Sequence, residues 1–355
     1  MDKNDNAFKE LLLAVVEAGG SDLHLSVGRH PTIRVAGSLV PLVKKPILTP
    51  DIIDSFLVLI LSEEQRAELE KNGEVDFAYS TKNEIRFRCN AFRQRNNYGM
   101  AMRLVPNEIG TFEELGLPDV LKSFALKQQG FFLVVGPAGH GKSTTLASMV
   151  KIINSETSQH IVTIEDPIEY LFTQDKSIID QREVGHDTSS FKKGLRSMFR
   201  QDVDVAMIGE MRDTESIGIA VTAAETGHLI LSSLHTNNAS QTIDRIIDSF
   251  PAAQQNQTRL QLAGSLLGIF SQRLIPRLSG GLIPAYELLI ANTAVRNLIR
   301  ERRTHELDIV IETSSSDGMI SLNTTLLNLV RDGEIGMDDA LAYSLDPKAL
   351  SGLSS

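Results

Sequence analysis

The sequence predicts an α/β fold class with two domains, a small N-terminal α/β domain and a larger domain built on a parallel sheet with crossover helices. The first observation is length, because 355 residues are long for one domain and comfortable for two. The second is a change of pattern near residue 119, where short strands separated by turns give way to continuous apolar runs. The third is a glycine-rich loop between one apolar run and a helical segment.

The first predicted domain covers residues 1–105. An amphipathic helix over 7–18 ends at a pair of glycines, and short segments separated by Gly and Pro follow it. In chain order we expect strands at 22–27, 32–35 and 39–42, helices at 50–60 and 62–71, and strands at 75–80, 84–92 and 99–105.

Residues 106–118 contain Pro, Gly and other turn residues and are the expected linker. Residues 119–275 are the expected core of the second domain, because its apolar runs lack alternation, as strands buried on both faces do. From about residue 252 the chain reads mostly helical, so we expect residues 276–355 to form a helical C-terminal region. The predicted core strands are 131–135, 160–164, 205–208 and 229–233.

The composition excludes several classes of protein. Apolar residues make up 42% of the chain, which argues against global disorder. A single cysteine excludes an internal disulfide framework and a cysteine-rich zinc site. No apolar stretch approaches the roughly 18 residues that span a bilayer, and no signal sequence is visible, so we expect a cytoplasmic protein without direct membrane insertion. The net charge of -10 argues against nucleic-acid binding.

The glycine-rich loop fits the pattern G-x-x-x-x-G-K-[ST] at every fixed position. Its glycines let backbone N–H groups point at phosphate oxygens, Lys142 reaches the outer phosphates, and the Ser143 hydroxyl ligates Mg²⁺. We therefore expect ATP and Mg²⁺ as cofactors. His140 stands at a variable position of the loop, which favours a solvated side chain, and a nucleotide-sensing histidine is the alternative. The expected nucleotide-binding residues are Gly136, Pro137, Ala138, Gly139, His140, Gly141, Lys142, Ser143 and Thr144.

Carboxylates follow two of the predicted core strands. Glu165, Asp166 and Glu169 come at the end of one strand, and Glu210 follows another, after Gly209. Hydrolysis needs a carboxylate that orients the attacking water and an oxygen ligand near Mg²⁺. Glu169 and Glu210 are both candidates for these roles, whereas capping or solvation is an equal alternative for Glu165 and Asp166.

Histidines and arginines supply further candidates. His228 and His235 flank the strand 229–233, where an imidazole could contact a phosphate oxygen or the attacking water. In the strand 84–92, Arg86 and Arg88 alternate with apolar residues, so one face of that strand is cationic. Arginine suits phosphate recognition, although a structural histidine and a solvated strand face remain alternatives.

Four motifs in chain order resemble those of the secretion and type IV pilus ATPases. They are GPAGHGKSTT (Walker A), IEDPIEY (Asp box), GEMRD (Walker B) and TGHLILSSLHT (His box). The segment AVRNLIRE at 294–301 resembles a C-terminal motif of the pilus retraction branch, and the similarity extends from about residue 7 to about residue 345. The resemblance implies a PAS-like N-terminal domain and a RecA-like P-loop ATPase domain with a helical C-terminal extension. It also implies a homo-hexameric motor that hydrolyses ATP to power pilus retraction.

The resemblance also implies roles for particular residues. Glu169 maps to the catalytic base, Glu210 lies near Mg²⁺ with Ser143, and His235 is the histidine of the His box. The remaining implied residues are the N-terminal arginines Arg86, Arg88 and Arg103, which act on the nucleotide, and Arg296, Asn297, Arg300 and Glu301, which face a partner. The implied partner is an inner-membrane platform protein of the PilC type, and a paralogous retraction ATPase is a further candidate. This places the protein in the cytoplasm, peripheral to the inner membrane at the pilus base.

Several alternatives stay open. The segment QREVGHD resembles the accessory retraction branch more than the main one, so both roles are candidates, although AVRNLIRE favours the main motor. Pilus extension and type II secretion motors usually carry a tetracysteine element, which one cysteine cannot supply. A DNA-translocating hexamer fits poorly with the acidic charge. A regulator that binds ATP without hydrolysis fits poorly with the set of Lys142, Ser143, Glu169 and Glu210.

Overall fold

The computed structural model describes residues 3–35, 38–81, 85–105 and 109–353, and the chain divides into two units, Met1–Glu108 and Ile109–Ser355. Residues 106–108 of the expected linker lie outside the described residues. Residues 109–118 belong to the second unit, because Ile109, Phe112 and Leu117 bury their side chains there.

The first unit contains a six-stranded antiparallel sheet with the strand order β3-β2-β1-β6-β5-β4. Each predicted helix and strand of this unit is present. The helix expected at 7–18 begins four residues earlier, and the other ends shift by at most two residues. Residue 84 of the strand expected at 84–92 lies outside the described residues. The elements are α1 (Lys3–Glu17), β1 (Gly20–Ser26), β2 (Thr32–Val35), β3 (Ser38–Pro41), α2 (Pro50–Ile60), α3 (Glu63–Asn72), β4 (Glu74–Ser80), β5 (Arg86–Gln94) and β6 (Asn97–Val105).

Strand β5 shows the expected alternation of apolar and cationic residues. Phe87 and Cys89 are fully buried in the core of the first unit, whereas Arg88 is exposed and Arg86 is partly exposed. Burial raises the pKa of the Cys89 thiol, so the single cysteine of the chain stays protonated. The opposite face of this strand therefore carries the arginines.

The second unit contains a seven-stranded sheet with the order β13-β12-β7-β11-β10-β8-β9, parallel except for β13. Helices connect the other strands and pack on the sheet, whereas β8 leads to β9 and β12 leads to β13 without a helix between them. Up to the last two strands, the elements are α4 (Val120–Ala125), β7 (Gly130–Val135), α5 (Lys142–Glu156), β8 (His160–Glu165), β9 (Ile178–Glu183), α6 (Phe191–Met198), β10 (Val205–Ile208), α7 (Thr214–Glu225), β11 (Leu229–Leu234), α8 (Ala239–Asp248) and α9 (Ala252–Ser265). The remaining elements are β12 (Leu266–Pro276), β13 (Leu282–Ile290), α10 (Thr293–Arg300), α11 (Leu307–Thr313), α12 (Leu322–Arg331), α13 (Met337–Tyr343) and α14 (Pro347–Leu353).

The prediction that the chain is mostly helical after residue 252 is wrong between residues 266 and 290, where β12 and β13 form a long antiparallel pair. Strand β12 lies between β7 and β13 and is buried on both faces, so it lacks the alternation that marks a strand in sequence. The polar edge strand β9 was also not predicted, because only its pairing with β8 identifies it.

The carboxyl ends of β7, β8, β10 and β11 lie side by side at one edge of the second sheet. Val135 of β7 pairs with Leu234 of β11. Ile208 of β10 pairs with Ser232 of β11 and with Ile164 of β8. Open parallel sheets bind ligands at this edge, so the loops that follow these strands form the candidate site. In the part of the chain that the structure describes, we find no helix with the length and apolar content needed to cross a membrane.

Candidate active site

The glycine-rich loop between β7 and α5 packs directly against β12. Gly136 and Gly141 have φ angles of +142° and +78°, a region that favours glycine. A Cβ atom would lie 2.3 Å from the carbonyl oxygen of Gln272 at the first position and 2.9 Å from Nε2 of Gln272 at the second. The φ angle therefore favours glycine at both positions, and at Gly136 the nearby backbone oxygen also leaves no space for a Cβ atom.

The loop and the start of α5 provide the donors that a nucleotide phosphate needs. Helix α5 begins at Lys142, and the N–H groups of its first turn have no acceptor within the helix. The Nζ atom of Lys142 donates to the carbonyl oxygens of Gly136 at 3.0 Å and Pro137 at 2.8 Å, so the ammonium group lies inside the loop. Burial lowers the pKa of Lys142, while Glu210 and Glu169 act in the opposite direction. This donor set fits a triphosphate.

His140 is tied to β12, so the expectation of a solvated side chain is wrong. Its Nδ1 atom accepts a hydrogen bond from the backbone N–H of Leu274 at 2.9 Å, and its carbonyl oxygen accepts one from Gln272 Nε2 at 3.0 Å. Its ring meets the ring of Tyr343 edge to face, with centroids 6.4 Å apart. Burial, followed by the charges of Arg273 and Lys142, lowers the pKa of His140. The imidazole is therefore neutral at pH 7, with its proton on Nε2.

His235 connects the lysine of the loop to the Walker B glutamate. Its Nδ1 atom lies 3.3 Å from Nζ of Lys142, and its Nε2 atom lies 3.3 Å from Oε2 of Glu210. The other carboxylate oxygen of Glu210 pairs with Arg212, which also lies 4.0 Å from Asp166. Lys142, Glu210 and His235 thus meet as the sequence predicts, whereas Arg212 was missed although it stands two residues after Glu210 in the same motif.

Glu169 lies in the loop after β8 with its side chain exposed. Glu165, at the end of β8, is 5% exposed, and burial raises its pKa to about 7. Its carboxylate accepts hydrogen bonds from Thr163 Oγ1 at 2.7 Å and from the backbone N–H of Glu169 at 3.4 Å. Glu165 therefore supports the loop from within the protein, while Glu169 faces outward. The next residue, Tyr170, bonds through its hydroxyl to Thr144 Oγ1 in α5 at 2.7 Å.

His228 is not brought to the site. It precedes β11, whereas His235 follows it, and the six-residue strand separates them by about 20 Å. Its Nδ1 atom lies 3.1 Å from the carbonyl oxygen of Ala223, and its ring packs edge to face on Phe199. The sequence interpretation placed both histidines near one edge of the sheet, but residues that flank a strand lie at opposite edges.

The arginines of the first unit lie on its sheet. Arg88 of β5 pairs in register with Arg103 of β6, and Arg103 pairs with Asp22 of β1. The Nε atom of Arg103 donates to Oδ1 of Asp22 at 2.8 Å. Burial raises the pKa of Asp22, but hydrogen bonds from Ser21 and Arg103 outweigh it and leave that pKa lowered. Arg103 therefore has a structural ion pair, although its side chain is 69% exposed.

In α10, Arg296 forms a set of hydrogen bonds within the chain. Val295, Leu298 and Ile299 are buried, as the amphipathic pattern predicts. The guanidinium of Arg296 donates to the carbonyl oxygens of Ala263 at 2.6 Å, Gly264, Leu266 at 2.8 Å and Ala291 at 2.9 Å, so it caps the C-terminal end of α9.

The donors of Arg296 are thus used within the chain, and a contact of Arg296 with a partner stays a prediction. Asn297 and Arg300 are exposed and bond to each other at 3.3 Å. Glu301 is exposed and pairs with Arg303 at 2.9 Å. The surface that remains for a partner is therefore formed by Asn297, Arg300 and Glu301.

The loop after β11 is held by a buried polar network that the sequence interpretation missed. The carbonyl oxygen of Asn237 accepts from Ser271 Oγ at 2.8 Å and from Arg273 Nη1 at 3.3 Å. Glu287 accepts from the backbone N–H of Ala239 at 2.8 Å, and burial raises its pKa to about 7. The sequence signal for this network is the presence of Ser271, Arg273 and Glu287 within otherwise apolar strands. This network fixes the loop that carries His235.

Among the described residues, no three His, Cys, Asp or Glu side chains come together as a metal site. Mg²⁺ usually keeps several waters and binds through one or two protein oxygens together with substrate phosphates. The Ser143 hydroxyl in the first turn of α5 and the Glu210 carboxylate, which is joined to Lys142 through His235, supply oxygen atoms of the kind that this mode of binding uses.

Comparison with known proteins identifies close relatives. The family model described as "Type II/IV secretion system protein" matches residues 5–317. The chain is 43% identical over 331 residues to the type IV pilus retraction ATPase PilT of Pseudomonas aeruginosa, across 93% of this chain and 96% of that protein. It is 42% identical over 338 residues to the type IV pilus ATPase PilU of the same organism, across 95% and 88%. The crystal structure of the pilus retraction motor PilT with bound ADP matches with a TM-score of 0.91 and 46% identity, across 97% and 98% of the two chains.

Proposed function

Because the chain belongs to the type II/IV secretion system protein family, we propose that it is the motor ATPase that powers type IV pilus retraction. The observation that carries the proposal is the contact of Lys142 and Glu210 through His235 beside a glycine loop of the P-loop type. The full-length similarity to PilT, whose crystal structure contains ADP, supports it. The segment 294–301, with its exposed Arg300, supports the retraction branch.

ATP binds with its phosphates in the loop 136–144, where Lys142 contacts the outer phosphates. Ser143 and Glu210 would hold Mg²⁺, which when bound would neutralise charge on the phosphates. Glu169 acts as the base that orients the attacking water. His235 keeps the Glu210 carboxylate in place and bonds to Lys142.

The working form is a homo-hexamer in the cytoplasm, peripheral to the inner membrane at the pilus base. Head-to-tail contacts close into a ring when the rotation between copies permits it. Arg86, Arg88 and Arg103 act on the nucleotide in that ring, and Arg300 with Asn297 and Glu301 contacts the platform protein. The exposure of Arg88 on the sheet of the first unit and of Arg300 on α10 supports these roles.

The ATPase assignment is tested with Lys142→Ala, which should abolish turnover by the purified protein. Lys122→Ala is the matched control, because this lysine is exposed and pairs only with the nearby Asp119 among the contacts described. Normal ATP turnover in Lys142→Ala would contradict the assignment of the glycine loop as the ATPase site. Pilus retraction is tested by deleting the gene in its host and counting the pili on each cell. Excess pili without twitching motility would support a retraction motor, whereas cells without pili would indicate an extension motor.

An accessory retraction ATPase is the second candidate. The identities to PilT and PilU are 43% and 42%, and the segment QREVGHD favours the accessory branch. A main motor should retract pili when the paralogue is deleted. Loss of retraction in that deletion, with the present gene intact, would favour the accessory role.

A further inference from the structure

We propose that Gln181 and Glu183 of β9 are positioning residues that hold Glu169 from both sides in the orientation needed to activate water. The inference rests on the proposed role of Glu169 as the base. Neither side chain contacts the nucleotide loop in the hydrogen bonds described for them, so both act through the loop that follows β8.

The two residues bond to the backbone immediately before and after Glu169. Oε2 of Glu183 accepts a hydrogen bond from the N–H of Ile168 at 3.1 Å. Nε2 of Gln181 donates to the carbonyl oxygen of Tyr170 at 2.7 Å, and its Oε1 atom accepts from the N–H of Phe172 at 2.9 Å. The backbone on each side of Glu169, at Ile168 and at Tyr170, is therefore hydrogen-bonded to a side chain of β9.

The register of the sheet explains why these side chains reach the loop. Gln181 pairs with Thr163 of β8, and Glu183 pairs with Glu165. Residues two apart in a strand share a face, so all four polar side chains lie on one face at this edge. Glu165 extends the support, because its carboxylate accepts from the N–H of Glu169 at 3.4 Å and from Gln181 Nε2 at 3.4 Å.

Burial makes the support rigid. Glu183 is 4% exposed, and its carboxylate bond to a backbone N–H is a charge-assisted bond in a buried setting. The side chain of Glu169 is exposed, so its position is set by its backbone. The same loop is joined to α5 through Tyr170 and Thr144 at 2.7 Å, which places it relative to the phosphates. A displacement of about 1 Å at a reacting group can cost about 100-fold in rate.

The experiment measures kcat, the Kd for ATP and the thermal midpoint in Gln181→Ala, Glu183→Ala and Glu183→Gln. We expect kcat to fall about 10- to 100-fold in the two alanine variants, with the Kd for ATP within about twofold of wild type. Glu183→Gln keeps an oxygen that accepts from Ile168, so it should recover most of the rate. A purely structural role would instead lower ATP binding and the thermal midpoint together, and that result would overturn the proposal.

Arg182→Ala is the matched control. The side chain of Arg182 points to the other face of β9 and donates to Ser197 Oγ and to the carbonyl oxygen of Asp187. The alanine variant therefore loses a comparable number of hydrogen bonds, but none of them is to the loop after β8. We expect its kcat to stay within about twofold of wild type. A loss equal to that of Gln181→Ala would show that any damage to β9 slows the enzyme, and it would overturn the positioning role.

The Glu169→Gln variant separates the two claims. If it turns over ATP normally, the assignment of the base is wrong. If it is inactive while Gln181→Ala keeps full kcat, the base assignment holds and the positioning proposal is wrong. In the double variant that carries both Glu169→Gln and Gln181→Ala, the second change should cause no further loss of kcat. The effects of substitutions on kcat are not additive when the residues act as a unit. A further tenfold loss there would contradict positioning.

Discussion

The Nζ atom of Lys142 lies 3.3 Å from Nδ1 of His235. A lysine ammonium only donates, so Nδ1 accepts and the ring proton resides on Nε2, which faces Glu210 at 3.3 Å. One imidazole thus joins the lysine that we propose contacts the phosphates to the glutamate that we assign to the metal. The backbone that carries it is fixed by Ser271, Arg273 and other buried polar groups.

We expect His235→Ala to lower the rate of ATP turnover about 100-fold, because it frees both Lys142 and Glu210 from their shared partner. The measurement is phosphate release by purified protein under saturating ATP. His228→Gln is the matched control, since this histidine lies at the opposite end of β11 and should leave the rate near that of wild type. Equal losses in the two variants would contradict the geometry.

We expect Glu210→Gln to raise the Mg²⁺ concentration needed for half-maximal activity at least about tenfold, because outer-shell carboxylates tune metal affinity. Glu169→Gln should bind ATP with an unchanged Mg²⁺ requirement and fail to cleave it. Removal of Mg²⁺ by a chelator should abolish turnover in the wild type. If Glu169→Gln hydrolyses normally and Glu210→Gln alone is inactive, the two roles are reversed.

We expect Arg296→Ala to lower the free energy of unfolding by about 2 kcal/mol or more, because it leaves carbonyl groups at the end of α9 without their charged donor. Arg300→Ala should change that free energy by less than about 0.5 kcal/mol, since its side chain is exposed. Chemical denaturation measures both. Only Arg300→Ala can then test partner binding, by loss of twitching at normal ATPase activity. Equal stability of the two variants would argue against the capping role.

The pH dependence of stability should differ between the wild type and Glu287→Gln. Burial raises the pKa of Glu287 from 4.5 to about 7, so the folded protein keeps a proton that the unfolded chain releases above pH 4.5. The stabilisation from this group is complete below pH 4.5 and is lost as pH rises through 7. The effect is on the order of 3 kcal/mol.

Glu287→Gln does not titrate but keeps an acceptor for Ala239. Its thermal midpoint should therefore fall less than that of the wild type between pH 5 and pH 8, and scans at four pH values measure the difference. Parallel curves for the two proteins would contradict the raised pKa of Glu287.

Each part of the site that was predicted from sequence alone lies within a motif formed by one short segment of the chain. The glycine loop, Lys142 and Glu210 sit at strand ends that can be read from a single segment. The family resemblance and the α/β fold class are confirmed, because the family model spans residues 5–317 and the match to PilT covers both sheets.

The parts that escaped prediction depend on tertiary partners. Arg296 reads as a surface residue of an amphipathic helix, and only the end of α9 shows what it bonds. His140 reads as a loop side chain until Leu274 is placed beside it. Strand β12 reads as helix because a buried apolar run has no period that distinguishes the two.

The pairing of β12 with β13 has a practical consequence for recombinant fragments. Strand β13 covers β12 from Gly268 to Pro276. A truncated ATPase core that ends at residue 275 would expose an apolar edge strand with an open row of N–H and C=O groups, which is a template for intermolecular pairing. Such a fragment should aggregate during expression, whereas one that extends past residue 290 keeps β12 paired with β13.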